Sequence, residues 1–564
     1  MNIFSRIRIP KLGKNNFDLS FENKLTCQMG QLVPIVCQEV LPGDEFKMQS
    51  NILVRFNPLV APMMHRVDVY THYFFVPNRL IWDEWEDFIT GGEDGTLMPE
   101  KPNTTWRQLI RLTEQQGPAQ TNILSDLLLP GSLLDYLGYN FGLTKQQLDD
   151  IKTGGGVYNK SYDWLDEPLD ILPLRAYQFI YNEYYRNQNT QPEIAFSKSS
   201  GNFSHTSDLS NLIYLRYRNW GLDYFTSSLP FSQRGPEQLV PVNNLQMELG
   251  YNSEGSTRIH SDEPLEYEGN LSYSRMSGYS NSALISANDQ SVKVDNTENL
   301  KLSPISEGSI SIRELRRTER IQEWLERSAR SGARYIEQIK GHFGIYSSDT
   351  RLQRPEYLGG GKQVVQISAV DQTSATDIEG STSPLGSMAG KAISGGTTNG
   401  FKTKVMEEHG FIIGIMSVLP KGGYHQGLNR KFSRFDKLDY FWPEFQNIGD
   451  QQINSKELYF AQSTQSENPN VGFGYTPRYS EYKCNHDEVH GDFKTTLDFW
   501  HLNRKFASRP LLNGNFSTTE KNIRNDIFAV QSDAEGNSVP NMMIDIFNQI
   551  KARRCMLYYE DPNL

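Results

Sequence analysis

Residues 66–76 read RVDVYTHYFFV, and residues 411–419 read FIIGIMSVL. In the first stretch apolar side chains alternate with Arg66, Asp68 and His72, which predicts a β-strand with one buried face and one wetter face. The second stretch is continuously apolar, which is the pattern of a strand covered on both faces. These two stretches predict that the core of the protein is a β-sheet.

Further strands and two helices are predicted around this pair. Residues 473–482 and 497–502 have strand patterns, and long irregular stretches separate the predicted strands. A helix is predicted to begin near Pro173, because tyrosines follow it at helical spacing, and a second helix is predicted over residues 311–339. Since the strands do not alternate regularly with helices, we expect a mainly β, antiparallel fold with large loops and a few helices.

Composition limits the classes of function. The chain has 564 residues and a formal net charge of −11, whereas a protein that binds polyanions over its whole surface would be basic. Any nucleic acid must therefore be bound by local patches or with a basic helper. Four cysteines without a CxxC pair indicate neither a zinc site nor a disulfide framework, so we expect reduced thiols. No targeting segment and no membrane-spanning run is predicted.

Residues 237–311 differ in composition from the rest of the chain. They contain no Phe, Trp or Cys, and their 11 acidic and 4 basic residues give a net charge of −7. Such a segment cannot build much core of its own. We expect an exposed insertion, with residues 1–236 and 312–564 forming the β framework.

The first 16 residues form a basic arm without any acidic residue. Such an arm can neutralise phosphates without reading sequence, because isolated basic side chains contact the backbone rather than the base edges. Two alternatives stay open: a solvated terminus and an arm that clamps a neighbouring subunit. The candidate DNA-facing residues are Arg6, Arg8, Lys11 and Lys14.

Two short motifs suggest chemistry but do not meet its requirements. Residues 486–490 read HDEVH, whereas a zinc-protease helix needs Glu directly after the first His. Residues 359–362 read GGGK, but Glu356 stands where a phosphate loop needs its first glycine, so we expect a flexible turn. No catalytic residue, metal site or cofactor is predicted, and the protein is not expected to be an enzyme.

Nine stretches spanning nearly the whole chain include FDLSFENKLTCQMGQLVP, EVLPGDEF and HGFIIGIMSVLP. In sequence and in their order along the chain, they resemble the major capsid protein of microviruses, the group that includes the gokushoviruses. Each is weakly specific alone, and together they are highly specific. The stretches are 17–34, 39–46, 62–92, 172–188, 215–236, 341–361, 409–420, 436–459 and 473–482.

The resemblance implies an eight-stranded antiparallel jelly roll of the viral capsid type, with long inserted loops. It implies self-assembly into a small T=1 icosahedral virion shell around a circular single-stranded DNA genome, within the cytoplasm of a bacterial host. A small basic DNA-packaging protein is the expected partner, and no membrane is involved. The 237–311 segment falls where such capsid proteins carry a loop that protrudes at the threefold axes, and we expect it to contact the host receptor.

Two other readings compete with a shell subunit. A secreted β-rich carbohydrate-active enzyme or lectin would share the aromatic, acidic composition, but a signal peptide is not visible. A nucleic-acid enzyme is weaker still, given the acidic balance. Buried aromatic residues could anchor contacts between subunits, with core packing within one subunit as the alternative. The candidate interface aromatics are Trp82, Trp85, Trp220 and Trp442.

Overall fold

The computed structural model forms two compact units, Met1–Ser232 with Ser328–Leu564, and Gln233–Arg327. Each unit is described by itself. The structure describes residues 13–114, 126–139, 142–152, 162–203, 206–235, 247–251, 258–260, 293–295, 300–304, 312–332, 334–344, 346, 348–371, 376–378, 381–383, 388–460, 470–531 and 539–558.

The main strands of the first unit belong to two antiparallel sheets. In chain order they are β1 (Asn15–Asp18), β2 (Phe21–Cys27), β3 (Val33–Val40), β4 (Glu45–Phe56), β5 (Val67–Pro77), β6 (Glu356–Val364), β7 (Gln366–Asp371), β8 (Met388–Val405), β9 (Gly410–Pro420) and β10 (Met542–Arg554). The first sheet has the order β1-β10-β4-β8-β7, and β2 also pairs with β10. The second sheet has the order β6-β5-β9-β3.

One apolar core lies between the two sheets. Alternate residues of β4 and β10 point into it, as the strict alternation of buried and exposed positions along both strands requires. Side chains of the second sheet pack against them, so the two sheets form a sandwich. This core includes Phe46, Ile52, Val69, Tyr73, Ile412 and Ile544.

A layer of helices covers the other face of the second sheet. Phe74, Val76 and Ile413 pack against apolar helical residues such as Leu109 and Leu174. Every residue of β9 is therefore buried, as its continuous apolar run predicts. The difference predicted between the two faces of residues 66–76 is confirmed, because Val69 and Tyr73 are fully buried, whereas Arg66 is exposed and His72 is only partly buried.

The α-helices with bounds among the described residues are α1 (Trp85–Thr90), α2 (Trp106–Glu114), α3 (Leu133–Tyr136), α4 (Lys145–Lys152), α5 (Leu172–Ile180), α6 (Thr206–Ile213), α7 (Ile312–Ser331), α8 (Tyr335–Phe343), α9 (Ser480–Lys483) and α10 (Gly514–Ser517). The helix predicted at Pro173 is confirmed as α5, and a π-helical turn over Tyr181–Tyr185 continues it. The predicted 311–339 helix is divided into α7 and α8 at Gly332, whose φ of +112° is unfavourable for other residues.

Smaller ladders lie outside the sandwich. Asn103–Thr105 pairs with Pro168–Asp170, and Thr376–Ile378 pairs with Ser381–Ser383. Part of the predicted 473–482 strand forms Gly472–Pro477, which pairs with Asp450–Asn454.

The strand predicted at residues 497–502 is wrong. Asp498–Trp500 is a single 3-10 turn, in which the Trp500 amide donates to Leu497 O at 3.1 Å. The backbone bonds there are therefore local rather than between strands.

The second unit contains two nested antiparallel pairs. Met247–Tyr251 pairs with Leu300–Pro304, and Arg258–His260 pairs with Lys293–Asp295. The other residues of the predicted 237–311 insertion lie outside the described residues. Met247 is opposite Pro304, so the two ends of the outer pair lie next to each other.

Candidate assembly surface

The four basic residues of the N-terminal arm are divided by the structure. Arg6, Arg8 and Lys11 lie outside the described residues. Lys14 Nζ lies 2.8 Å from Glu45 Oε1 and donates to Gly43 O, also at 2.8 Å. Lys14 therefore attaches the arm to β4, and its charge is compensated within the chain.

Three of the four candidate interface tryptophans pack within the subunit. Trp82 is fully buried, its Nε1 donates to Ser200 Oγ at 2.7 Å, and its ring lies 5.8 Å from that of the partly buried Trp85. Trp220 is 4% exposed, and the Arg504 guanidinium lies 5.1 Å from its ring centroid. Core packing, the alternative weighed for these residues, describes their surroundings. Only Trp442 of the four is well exposed, at 45%.

Trp442 belongs to a segment with many exposed apolar side chains. Seven large apolar residues within residues 432–448 are between 45% and 92% exposed. Soluble monomers rarely expose so much apolar surface in one place without a binding function. We call these residues the aromatic patch: Phe432, Phe435, Leu438, Tyr440, Phe441, Trp442 and Ile448.

Hydrogen bonds hold the aromatic patch in a defined conformation. Asp439 Oδ2 accepts from the backbone amides of Phe435 at 2.9 Å and Asp436 at 3.0 Å, and these bonds lower the pKa of Asp439. Trp442 Nε1 donates to Lys437 O at 2.8 Å. The exposed rings are therefore preorganised, which lowers the entropic cost of binding a partner.

Ion pairs near the patch anchor this segment to the rest of the first unit. Arg434 Nη2 lies 3.3 Å from Glu481 Oε1, and Arg430 Nη1 lies 3.4 Å from Glu457 Oε1. Glu457 is buried and accepts from Tyr224 Oη at 3.0 Å, and burial raises its pKa. Loss of Arg430 would leave the buried Glu457 carboxylate without its ion pair, whereas Glu481 lies near both arginines, since Arg430 Nε is 3.8 Å from Glu481 Oε1.

The two rejected motifs have structural roles. His490 is exposed and lies 3.2 Å from Glu488, and no group of three metal-ligating side chains occurs within the described part of the chain. The predicted flexible turn at residues 359–362 is wrong, because these residues lie within β6. A Cβ at Gly360 would lie 2.3 Å from Thr71 O, so strand packing requires the glycine.

Two further properties bear on the sequence predictions. The four cysteines, Cys27, Cys37, Cys484 and Cys555, form no disulfide with one another. Among the described residues, no helix is long and apolar enough to cross a membrane.

Comparison with known proteins identifies the family. A family model described as "Capsid protein (F protein)" matches residues 5–119 and 167–564. The chain is 32% identical to capsid protein VP1 of Chlamydia phage 1, with 100% of this chain and 98% of the relative covered. Capsid protein VP1 of Bdellovibrio phage phiMH2K is 31% identical, with 99% and 97% covered, and that of Spiroplasma virus 4 is 27% identical, with 100% and 97% covered.

These matches cover the same stretches of the chain as the resemblance noted in the sequence. They do not support a carbohydrate-active enzyme or lectin. They indicate a structural role in the virion capsid. The chain belongs to the capsid protein (F protein) family and is a microvirus major capsid protein.

Proposed function

We propose that this chain forms a T=1 icosahedral shell of jelly-roll subunits around a circular single-stranded DNA genome. Strand order supports the jelly roll. Four strands of the first sheet have the order β2-β10-β4-β8, and the second sheet has the order β6-β5-β9-β3. Two facing four-stranded sheets, between which the chain repeatedly crosses, are the arrangement expected of a viral jelly roll.

We assign contact between subunits to the aromatic patch. Its large exposed apolar surface is the observation that carries this proposal. The exposed fractions of its seven side chains together equal about four whole side chains. Five of the seven residues are aromatic, and their exposed fractions equal about three side chains. At about 150–250 Å² for each, they present about 450–750 Å², to which Leu438 and Ile448 add further apolar area. A standard interface buries about 800 Å² on each partner, so the patch is large enough for a second copy of the chain.

The other partners follow from charge and chain organisation. Arg6, Arg8 and Lys11 neutralise packaged phosphates, and Lys14 anchors the arm that carries them. A small basic packaging protein supplies further positive charge, because the subunit itself has a net charge of −11. The 237–311 insertion forms the threefold protrusion on the outer surface and contacts the host receptor. Assembly takes place in the cytoplasm of the bacterial host.

Assembly of the purified full-length chain tests this function. Size exclusion followed by cryo-electron microscopy should detect closed icosahedral particles, and particles assembled with circular single-stranded DNA should retain nuclease-protected DNA. A chain that stays monomeric at every concentration, with or without DNA, would contradict the proposal.

A further inference from the structure

A second group of exposed apolar side chains follows β5, outside the aromatic patch. It lies on α1 and on the loop after this helix. All four of its members are exposed, and Met98 is 90% exposed. Exposed apolar side chains that cluster in this way indicate a binding surface. We call these residues the apolar shelf: Phe88, Ile89, Leu97 and Met98.

The apolar shelf has a defined conformation. The Phe88 ring packs 4.9 Å from the ring of the buried Trp82. The Leu97 amide donates to Gly91 O at 2.8 Å, which folds the loop back on the end of α1. A Cβ at Gly92 would lie 2.5 Å from Leu97 Cδ1, so the Leu97 side chain packs closely against the loop backbone. The shelf is therefore preorganised for a partner.

Carboxylates surround the apolar shelf. Residues 83–94 contain six acidic residues and no basic residue. All six are exposed, and none has an ion-pair partner within the described part of the chain. Such a rim favours an occupant that carries positive charge beside its apolar surface. The six are Asp83, Glu84, Glu86, Asp87, Glu93 and Asp94.

A basic surface lies on the solvent face of the first sheet. Lys47 of β4 and Lys551 of β10 are exposed and directly opposite each other. Like charges in such a cross-strand pair destabilise a sheet. Together with Arg553, which we include in the name basic face, they line a depression of about 500 Å³. The exposed Tyr558 ring also lines it and stacks on Phe17 at 5.2 Å, so apolar area lies beside the charges.

Neighbouring carboxylates leave the basic face with an excess of positive charge. Glu45 already has an ion pair with Lys14, at 2.8 Å. Asp18 is opposite Lys551 in the ladder of β1 and β10, so it offsets that lysine in part. Among the described residues, Lys47 has no ion-pair partner. An anionic group of another molecule would therefore relieve the repulsion between the two lysines.

The turn between β8 and β9 brings both surfaces to the same end of the sandwich. The amide of Asn78, just after β5, donates to His409 O at 3.0 Å, and the Trp85 ring of α1 lies 5.5 Å from the His409 ring. The Met406 amide donates to Asp44 O at 2.8 Å, next to the start of β4. The apolar shelf and the basic face are therefore both attached to this turn.

We propose that the apolar shelf of one copy packs on the basic face of a second copy, in a contact across a twofold axis. Because both surfaces lie at one end of the sandwich, each copy can present its shelf and receive the shelf of the other, as an isologous contact requires. The apolar side chains supply buried area, and the carboxylates around the shelf compensate Lys47 and Lys551.

Packaged DNA fits these observations less well than a second copy does. Phosphates would compensate the basic face, but they would leave the apolar shelf uncovered and would be repelled by its acidic rim. This inference rests on the proposed assembly of a shell, and it adds a contact that is separate from the aromatic patch.

Photocrosslinking tests the location of the contact. A photoreactive benzoylphenylalanine replaces Met98, whose exposure makes the change compatible with the fold. Particles are assembled from a mixture of isotopically labelled and unlabelled chains, so that crosslinks between copies are distinguished from those within one copy. Crosslinks between copies should map to peptides that contain Lys47, Lys551 or Tyr558. Particles whose crosslinks lie only elsewhere would overturn this inference alone, whereas a wild-type chain that forms no particles would contradict the proposed function.

Charge reversal tests the complementarity. Glu86→Lys with Asp87→Lys, and separately Lys47→Glu with Lys551→Glu, should each raise the concentration needed for particle formation about tenfold, because like charges then meet across the contact. A chain that carries all four changes should assemble near the wild-type concentration, since its charges are again complementary. A four-residue variant that assembles as poorly as either double variant would overturn the contact.

The matched control reverses two acidic residues away from both surfaces. Asp163→Lys with Glu167→Lys changes two exposed side chains and should leave assembly at the wild-type concentration. Circular dichroism should give every variant the wild-type unfolding temperature. An equal loss of assembly in the control would indicate general charge and overturn the contact. Particles of Lys47→Glu with Lys551→Glu that form at the wild-type concentration but package less DNA would assign the basic face to DNA, which also overturns it.

Discussion

Phe435→Ser is expected to weaken assembly without unfolding the subunit. Phe435 is 92% exposed, so its ring contributes little to the core of its own chain. Exposed substitutions of this kind usually change the free energy of unfolding by less than about 0.5 kcal/mol. If a second copy covers the ring, its burial contributes about 1.5–3 kcal/mol to each contact. A loss of about 2 kcal/mol corresponds to about a 30-fold weaker association constant.

The assay compares assembly with folding for two matched variants. Size exclusion and negative-stain microscopy over a range of protein concentrations give the concentration at which particles form, and circular dichroism gives the unfolding temperature. Phe343→Ser is the control, because Phe343 is 76% exposed but lies outside the aromatic patch. Phe435→Ser should require a clearly higher concentration for assembly, and Phe343→Ser should not. Assembly of Phe435→Ser at the wild-type concentration would refute the reasoning.

Three further predictions concern the insertion, the arm and pH. Replacing residues 237–311 by a short Gly/Ser linker should leave soluble protein with the β content of the framework unchanged by circular dichroism, because Met247 and Pro304 are paired; an unfolded aggregate would contradict this. Changing Arg6, Arg8 and Lys11 to Gln should lower the DNA packaged per particle; full genomes would exclude a required role, and absence of shells would favour a subunit clamp. Burial lowers the pKa of His65 from its ordinary 6.5 to about 4, so the folded chain resists protonation that the unfolded chain accepts. The urea midpoint should therefore fall as pH drops from about 6.5 to about 4, and His65→Gln should reduce this dependence; an unchanged slope would count against it.

The strongest local patterns predicted the elements that depend on short-range order. The apolar run at residues 411–419 is buried on both faces as β9, and the helix predicted at Pro173 is α5. Such patterns succeed because alternation and helical spacing are set by the backbone geometry of neighbouring residues. The family resemblance extended the fold prediction to the whole chain, because it rests on many stretches that follow one another in the same order as in the family.

Local patterns failed where remote segments decide the surroundings of a side chain. Residues 497–502 have the composition of a strand but no strand pairing. The glycines at 359–361 belong to the edge strand β6 rather than to a turn. Trp82 and Trp442 are the same residue type, yet one is fully buried and the other is half exposed. Composition cannot separate them, because burial depends on which distant segments fold over each ring.

The sequence by itself determined the mainly β fold class and the family, because these follow from patterns read along the chain, and the acidic insertion at residues 237–311 stays a prediction. Tertiary structure alone decided which aromatic residues form the aromatic patch and which residues meet at a cavity of the first unit. His72, Tyr184, Arg218 and Arg354 are far apart in sequence, and they line one cavity only because the sheet, the π-helical turn and two loops converge there. Their proximity is a product of long-range packing, which no local pattern of residues encodes.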